Sequence, residues 1–466
     1  MAGTEVELPR SWSTCRFDDV VGLVSDAGRK LKQADYLRAG PIPVVDQGET
    51  FIGGFTEDRA LLYEGTLPVI VFGDHTRRVK YVDFPFAVGA DGVKLLSPKP
   101  CFLPKFLFYA IQNLELPNRG YSRHLQYLRK MTLPVAPLPE QHRIVAEIEK
   151  QFTRLDVSLT ALRRVHVNLK RYRAATLAAA CEGRLVPTEA ELARAEGREY
   201  ESGEALVQRI GITTAGQSSN GVEGWITARL DAVAQIKGGL TKGQQRSATD
   251  VLRPVPYLRV ANVQRGWLDL SEVKTIDATG AEIEQLRLVA GDVLFNEGGD
   301  RDKLGRGWIW QGQIEECIHQ NHVFRARIRD GVLHPKLLSW YANSAGQEYF
   351  SAEGKQTTNL ASINRTKLAA LPVPVPPFVE QLRIVAEVER RLSLVEKLEA
   401  VVEDAQRRAA ALRQSILKRA FAGKLVPQDP DDEPADVLLE RIRAERVAIS
   451  ANSSPPKRAG RKKVRA

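Results

Sequence analysis

Basic and amide side chains recur on glycine-containing loops in two stretches of this 466-residue chain. In the first, Arg77, Arg78 and Lys80 follow VFGDHT, and Arg119, Tyr121, Arg123 and His124 lie in NRGYSRH. In the second, KGGLTKGQQR carries Lys237, Thr241 and Lys242, and YLRVANVQRG carries Arg259, Asn262 and Gln264. Further on, GGDRDKLGRGW carries Arg301, Lys303 and Arg306, and HQNHVF carries Asn321. In a DNA major groove, arginine matches guanine edges and Asn or Gln matches adenine edges, while lysine and backbone N–H groups hold phosphates. Together these residues are candidate DNA contacts. Taken singly, each also fits a solvated loop charge.

Motifs that would make or break bonds are missing. Val375-Pro376-Pro377-Phe378 is similar to the adenine-methyltransferase tetrapeptide, Asp/Asn-Pro-Pro-Tyr/Phe, but Val375 stands where an acid or amide must hold the exocyclic amine. Glu272-Val273-Lys274 matches the E-x-K fragment of many nucleases, a triplet common by chance and better read as an exposed strand edge. Neither a GxxxxGK[ST] phosphate loop nor a Gly-rich AdoMet loop occurs. The seven histidines do not cluster at metal-ligand spacing, and His166 falls on a helical apolar stripe as a packing residue. Cys15, Cys101, Cys181 and Cys317 form no CxxC pair, so neither a disulfide framework nor a zinc site is expected. We assign no catalytic residue, no metal ligand and no cofactor to the chain.

A duplication positions the candidate loops. EQHRIVAEIE at Glu140–Glu149 returns 240 residues later as EQLRIVAEVE at Glu380–Glu389. The copies align without insertion over 134–187 and 374–427, with 18 of 54 positions identical. Each holds 43 residues free of Gly and Pro, then closes on Gly183-RLVP or Gly423-KLVP. This predicts long helices near 140–182 and 380–422, each about 65 Å at ~1.5 Å per residue, capped by glycine and stopped by proline. In the first, Ile148, Phe152, Leu155, Leu159, Leu162, His166 and Leu169 make a coiled-coil seam. In the second the seam reads Val388, Leu392, Val395, Leu398, Val402, Ala409, Leu412 and Ile416. A lone apolar stripe needs a partner, and each helix's nearest partner is its own copy.

The expected organisation is a first globular domain at 1–133, a first spacer helix at 134–187, a helical extension and Gly/Ser linker at 188–224, a second globular domain at 225–373, a second spacer helix at 374–427, and a C-terminal helix with a basic tail at 428–466. The second domain opens like the first, with Trp225, Arg229, Leu230, Asp231 and Val233 in the places of Trp12, Arg16, Phe17, Asp18 and Val20. Beyond that opening the two sequences diverge. The expected fold class is α+β: two mixed α/β domains at opposite ends of a long antiparallel two-helix coiled coil with pseudo-two-fold symmetry. Because each domain precedes its helix, antiparallel pairing sends them to opposite ends, an arrangement that suits a duplex read twice at a non-palindromic site.

The net charge of +10 and pI near 9.4 favour a polyanionic partner. Six basic residues fall within the last ten, either a disordered solubilising end or a non-specific phosphate-binding arm. No apolar run approaches the ~20 residues of a membrane span, and MAGTEVELPR lacks a secretory apolar core. A cytoplasmic protein with no membrane partner is expected.

The P-x-x-EQ-x-R-IVAE helix with its G-[RK]-LVP ending, present twice, resembles the helical spacers of specificity (S) subunits of type I restriction–modification systems. GETFIGGFTED, VIVFGDHTRRVKYVDFPFAVGADGV and GYSRH look like one of that family's target-recognition domains. IKGGLTKGQ, YLRVANVQRGWLDL, GDVLFNEGGDRDKLGRG and TTNLASINRTKLAALPVPVPP look like another. The resemblance implies that each domain reads half of a bipartite double-stranded DNA site, with the helices setting the gap. It also implies two docked methyltransferase (M) subunits and further restriction/translocase (R) subunits. AdoMet, ATP and Mg would belong to those partners, not to this chain. The rival readings are a coiled-coil adaptor with no DNA role and an enzyme acting alone.

Overall fold

The structure is a computed structural model describing residues 7–89, 92–117, 119–120, 122–212, 217–218, 221–243, 247, 250–299, 304–329, 331–356 and 361–452. It is α+β and divides into two compact units. Unit 1 takes Met1–Arg163 with Glu403–Ala466, and unit 2 takes Arg164–Val402. Each unit therefore owns one globular region and a stretch of both long helices, which run Leu138–Cys181 and Phe378–Phe421.

In unit 1 a four-stranded antiparallel sheet is ordered Val21–Val24, Val93–Pro98, Val69–Gly73, Val79–Val82. In unit 2 the corresponding order is Ala234–Gly238, Val323–Ile328, Val293–Asn296, Gly307–Ile309. Each sheet follows a one-turn helix (Phe17–Val20 or Leu230–Val233) and leads to a helix starting at a proline (Pro104–Asn113 or Pro335–Asn343). A smaller sheet in each contains parallel pairing, at Lys30↔Val88 and Val44↔Ala87 in unit 1 and at Tyr257↔Ile318 in unit 2. Two regions whose sequences diverge thus share one main-sheet order, while their smaller sheets differ, with four strands in unit 1 and three in unit 2.

The approach to each spacer helix is held as a strand. Thr132–Val135 pairs antiparallel with Ser13–Arg16, and Pro372–Val375 with Ile226–Arg229. Proline is tolerated there because these are short pairings with unbonded outer edges. The region at 188–210 forms two short helices, Glu189–Glu196 and Gly203–Arg209, each N-capped by a hydroxyl, from Thr188 and Ser202. Part of the 211–224 linker lies outside the described residues, as does the tail from 453.

The helix segments run antiparallel within each unit. In unit 1, Ile148 and Phe152 share a core with Ile416, Leu417, Ala420 and Phe421, and Asp156 meets Arg413. In unit 2, Ala180 and Leu177 share a core with Val388 and Leu392, and Arg173 meets Glu396 and Glu399. The first helix's seam residues are buried or half-buried, His166 included. The second helix's seam needs correction: Leu398 is 41% exposed and Leu412 50%. An unbroken four–three alternation from Val388 lands on Glu399 and Arg413 instead, each half-buried. Their long stems cover the seam, and their charged ends form the ion pairs with Arg173 and Asp156.

Candidate nucleic-acid interface

The repeated Glu-Gln pair fixes each domain to its helix. The Trp12 indole N–H donates to Glu140 Oε2 at 2.9 Å, and the Trp225 indole to Glu380 Oε1 at 2.7 Å. Both carboxylates are buried, and burial pushes both above the usual carboxylate range against the pull of these donors. The adjacent glutamines satisfy domain backbone. Gln141 Nε2 donates to the Cys101 and Ala136 carbonyls and its Oε1 accepts from Leu103 N–H. Gln381 does the same with Val332, Pro376 and His334. Lys105–Glu149 and Lys336–Glu389 complete the matching sets.

The segment after each helix caps the start of the other. In unit 1, Gln428 donates to Glu140, and Asp432 pairs with Arg143 at 2.7 Å. In unit 2, the Glu189 N–H donates to Glu380 at 2.8 Å, and the Glu189 carboxylate pairs with Arg383 at 2.6 Å. The 240-residue repetition of Glu-Gln was visible in the sequence; the tryptophan partners were signalled only by their similar placement at the start of each domain.

On this frame the candidate loop residues fall into three groups. Arg78, Arg119 and Arg123 are exposed in unit 1, and Thr241 and Lys242 in unit 2. Arg77 takes a left-handed conformation (φ 60°) at the tip of the turn between Val69–Gly73 and Val79–Val82, and its Nη1 donates to the Leu116 carbonyl at 3.2 Å. Lys237, Gln264, Arg306 and Asn321 are half-buried, as is Arg259, which reaches the Glu272 carbonyl and carboxylate. Burial, then the nearby Arg325 and Arg327, holds the Lys237 ammonium below its ordinary range.

Three candidates are buried and spent on internal bonds, so their role is corrected to support. Lys80 donates to the Thr50 carbonyl at 2.6 Å and lies 3.5 Å from Asp46, with burial lowering its ammonium's pKa. His124 Nδ1 bonds the Asp74 carbonyl at 2.9 Å. Asn262 donates to the Asp269 and Glu272 carbonyls and accepts from Arg259 N–H, closing its own loop. The sequence pattern gave them the right residue types, but packing turned them inward. Tyr121, Arg301 and Lys303 lie outside the described residues.

Among the described residues, no group of three or more His, Cys, Asp or Glu could hold a metal, and no helix is long and apolar enough to cross a membrane. The cysteines are buried and free, with burial pushing Cys15, Cys181 and Cys317 up to about 12 and Cys101 up to about 11. Glu272 and Lys274 lie exposed at an outer strand, as a chance E-x-K triplet would.

The class defined by these features is an α+β protein whose globular regions, alike in main-sheet order and unlike in sequence, are each anchored to segments of both long helices. The chain is related along nearly its whole length to type I restriction enzyme specificity subunits. It is 25% identical to the EcoKI specificity subunit of Escherichia coli (strain K12) over 494 aligned residues, covering 98% of this chain and 99% of that one. It is 24% identical to the StySPI specificity subunit of Salmonella potsdam, covering 97% and 99%. A chain solved in work on complex assembly and conformational transition of the type I R-M system shares the fold, with a TM-score of 0.59 at 18% identity, covering 90% of this chain and all of that one. No protein-family model matches the chain.

Proposed function

We propose that this chain is the non-catalytic DNA-recognition subunit of a type I restriction–modification complex. Each globular domain, set at its own end of the paired helices, reads one half of a bipartite asymmetric site. The helix pair fixes the gap, of the order of one or two DNA turns at ~34–36 Å per turn. Two methyltransferase subunits dock, one per repeat, and restriction subunits join them; AdoMet, ATP and Mg act in those partners, in the cytoplasm.

One observation carries this reading: the near full-length relation to specificity subunits coincides with a repeated Trp–Glu–Gln anchor beneath two domains of like main-sheet order and unlike loops. Repeated anchors offer one kind of partner two equivalent seats. Exposed Leu394, Leu398 and Val401, spaced four and three apart on the second helix, add an apolar stripe of the kind partner helices cover.

The test is a methylation map of host DNA with and without this chain. Loss of one bipartite adenine-methylation motif is the expected result. Exchanging residues 1–133 for the corresponding domain of a relative should change one half of that motif alone. A change in both halves, or no dependence on the chain, would overturn the reading.

A further inference from the structure

In unit 1 a cleft of about 1040 Å³ opens between the turn carrying Arg77 and Arg78, the end of helix Pro104–Asn113, and the second spacer helix at Arg413. Its two acidic residues are committed, Glu49 to Arg78 and Glu115 to Lys418. Arg77 reaches a neutral carbonyl. Arg413 lies 4.3 Å from the Phe152 ring centroid, and its Nη2 sits 3.1 Å from both Asp156 carboxylate oxygens. Its Nε is buried with no hydrogen-bond partner among the described residues.

Unit 2 supplies an internal comparison. There Arg173 holds the position 240 residues earlier, beside a cleft of about 760 Å³. Two carboxylates hold Arg173, Glu399 at 2.9 Å and Glu396 at 4.0 Å. Asp156 corresponds to Glu396, but Leu159 stands where Glu399 does, so Arg413 lacks the second acid. The unit 2 cleft is walled by Trp267, Trp308 and Trp340; its other basic side chains are Arg265, which donates to the Asn343 carbonyl and to Gln347, and Lys336, which pairs with Glu389. Among the described residues, the difference lies in the helix arginine: Arg413 meets one carboxylate where Arg173 meets two, and Arg413 stands beside the turn of Arg77 and Arg78.

We infer that the unit 1 cleft takes the sugar–phosphate backbone of duplex DNA, with Arg413 of the spacer helix as a phosphate contact. This rests on the DNA-recognition reading above and extends it from the domain to the helix. Charge complementarity favours DNA over an acidic protein segment, because the turn that supplies Arg77 and Arg78 is also a candidate reader of the first half-site. A phosphate at Arg413 would meet donors that Asp156 leaves unused.

The test is DNA binding by the full chain with its modification subunits, measured against salt concentration. Arg413→Gln should weaken binding several-fold and flatten the log–log salt slope by about 0.9, the change for one lost phosphate contact. Arg413→Lys should restore most of the slope. Asp156→Asn breaks the same helix pair but keeps the cation, and should leave affinity equal or higher. Arg173→Gln should leave the slope unchanged. An unaltered slope in Arg413→Gln, equal losses in Arg413→Gln and Asp156→Asn, or lost subunit assembly with normal DNA binding would each overturn the inference. Absence of salt-dependent binding by the wild-type complex would instead overturn the DNA-recognition reading itself.

Discussion

Glu140 lies beneath Trp12, its Oε2 accepting the indole N–H at 2.9 Å, and the pair recurs as Glu380 beneath Trp225 at 2.7 Å. A buried carboxylate is costly unless donors meet it. Each contact therefore ties the residue just before a domain strand, Ser13–Arg16 or Ile226–Arg229, to the start of the helix through one polar group. Replacing Trp12 or Trp225 by phenylalanine keeps most of the apolar body and removes the donor. Each variant should lose about 1–3 kcal/mol in denaturant unfolding, the cost of an unmet buried acceptor. A loss below 0.5 kcal/mol in both would show that the ring alone matters.

Glu189 is nearly sequestered and meets both Arg383 and Arg198 at 2.6 Å. Glu189→Ala leaves two guanidiniums without their acid and should destabilise unit 2 by about 2 kcal/mol, discounted for the solvent around both arginines. Glu196→Ala removes a more exposed partner of Arg198 and should cost far less. Hydrogen exchange across the start of the second helix would separate the two.

Arg78 and Lys80 are two residues apart and opposite in environment. Arg78→Ala should weaken DNA binding and reduce its salt dependence while leaving the unfolding midpoint close to wild type. Lys80→Ala strands the buried Asp46 and should lower stability by about 2–4 kcal/mol. Equal effects of the two on DNA affinity in correctly folded protein would remove the distinction.

His319 is fully buried, its Nδ1 bonding the Val323 carbonyl at 2.6 Å, and burial lowers its pKa to about 4. The unfolded imidazole takes its proton near 6.5 and the folded one near 4. Its contribution to stability is therefore whole above about pH 6.5 and drains as pH falls toward 4. Imidazole resonances that report a neutral ring at pH 5 in the native protein would confirm it; a proton gained near pH 6.5 would not.

The buried cysteines set the alkaline limit. Their thiols are raised to about 11 or 12, above the ordinary 9, so folding holds them neutral. That contribution is complete below about pH 9 and is lost as pH climbs toward 12. The melting temperature should fall over this range. At pH 8 a thiol reagent should modify the native chain slowly and the unfolded chain at all four cysteines.

The sequence by itself determined the long helices, because 43 residues without Gly or Pro, bounded by a glycine cap and a proline, leave the backbone little else to do. It also carried the α+β class and the repeated Glu-Gln motif, since these follow from local pattern. The common main-sheet order of the two globular regions was not legible: strand order depends on pairings such as Val21↔Pro98 and Ala234↔Ile328 between distant residues of unlike sequence. Only tertiary packing decided which basic and amide residues stay outside. It turned Lys80, His124 and Asn262 inward because backbone carbonyls and Asp46 needed donors there. It also shifted the second helix's seam from Leu398 and Leu412 to Glu399 and Arg413, because a regular heptad and two ion pairs together outweighed the burial of two leucines.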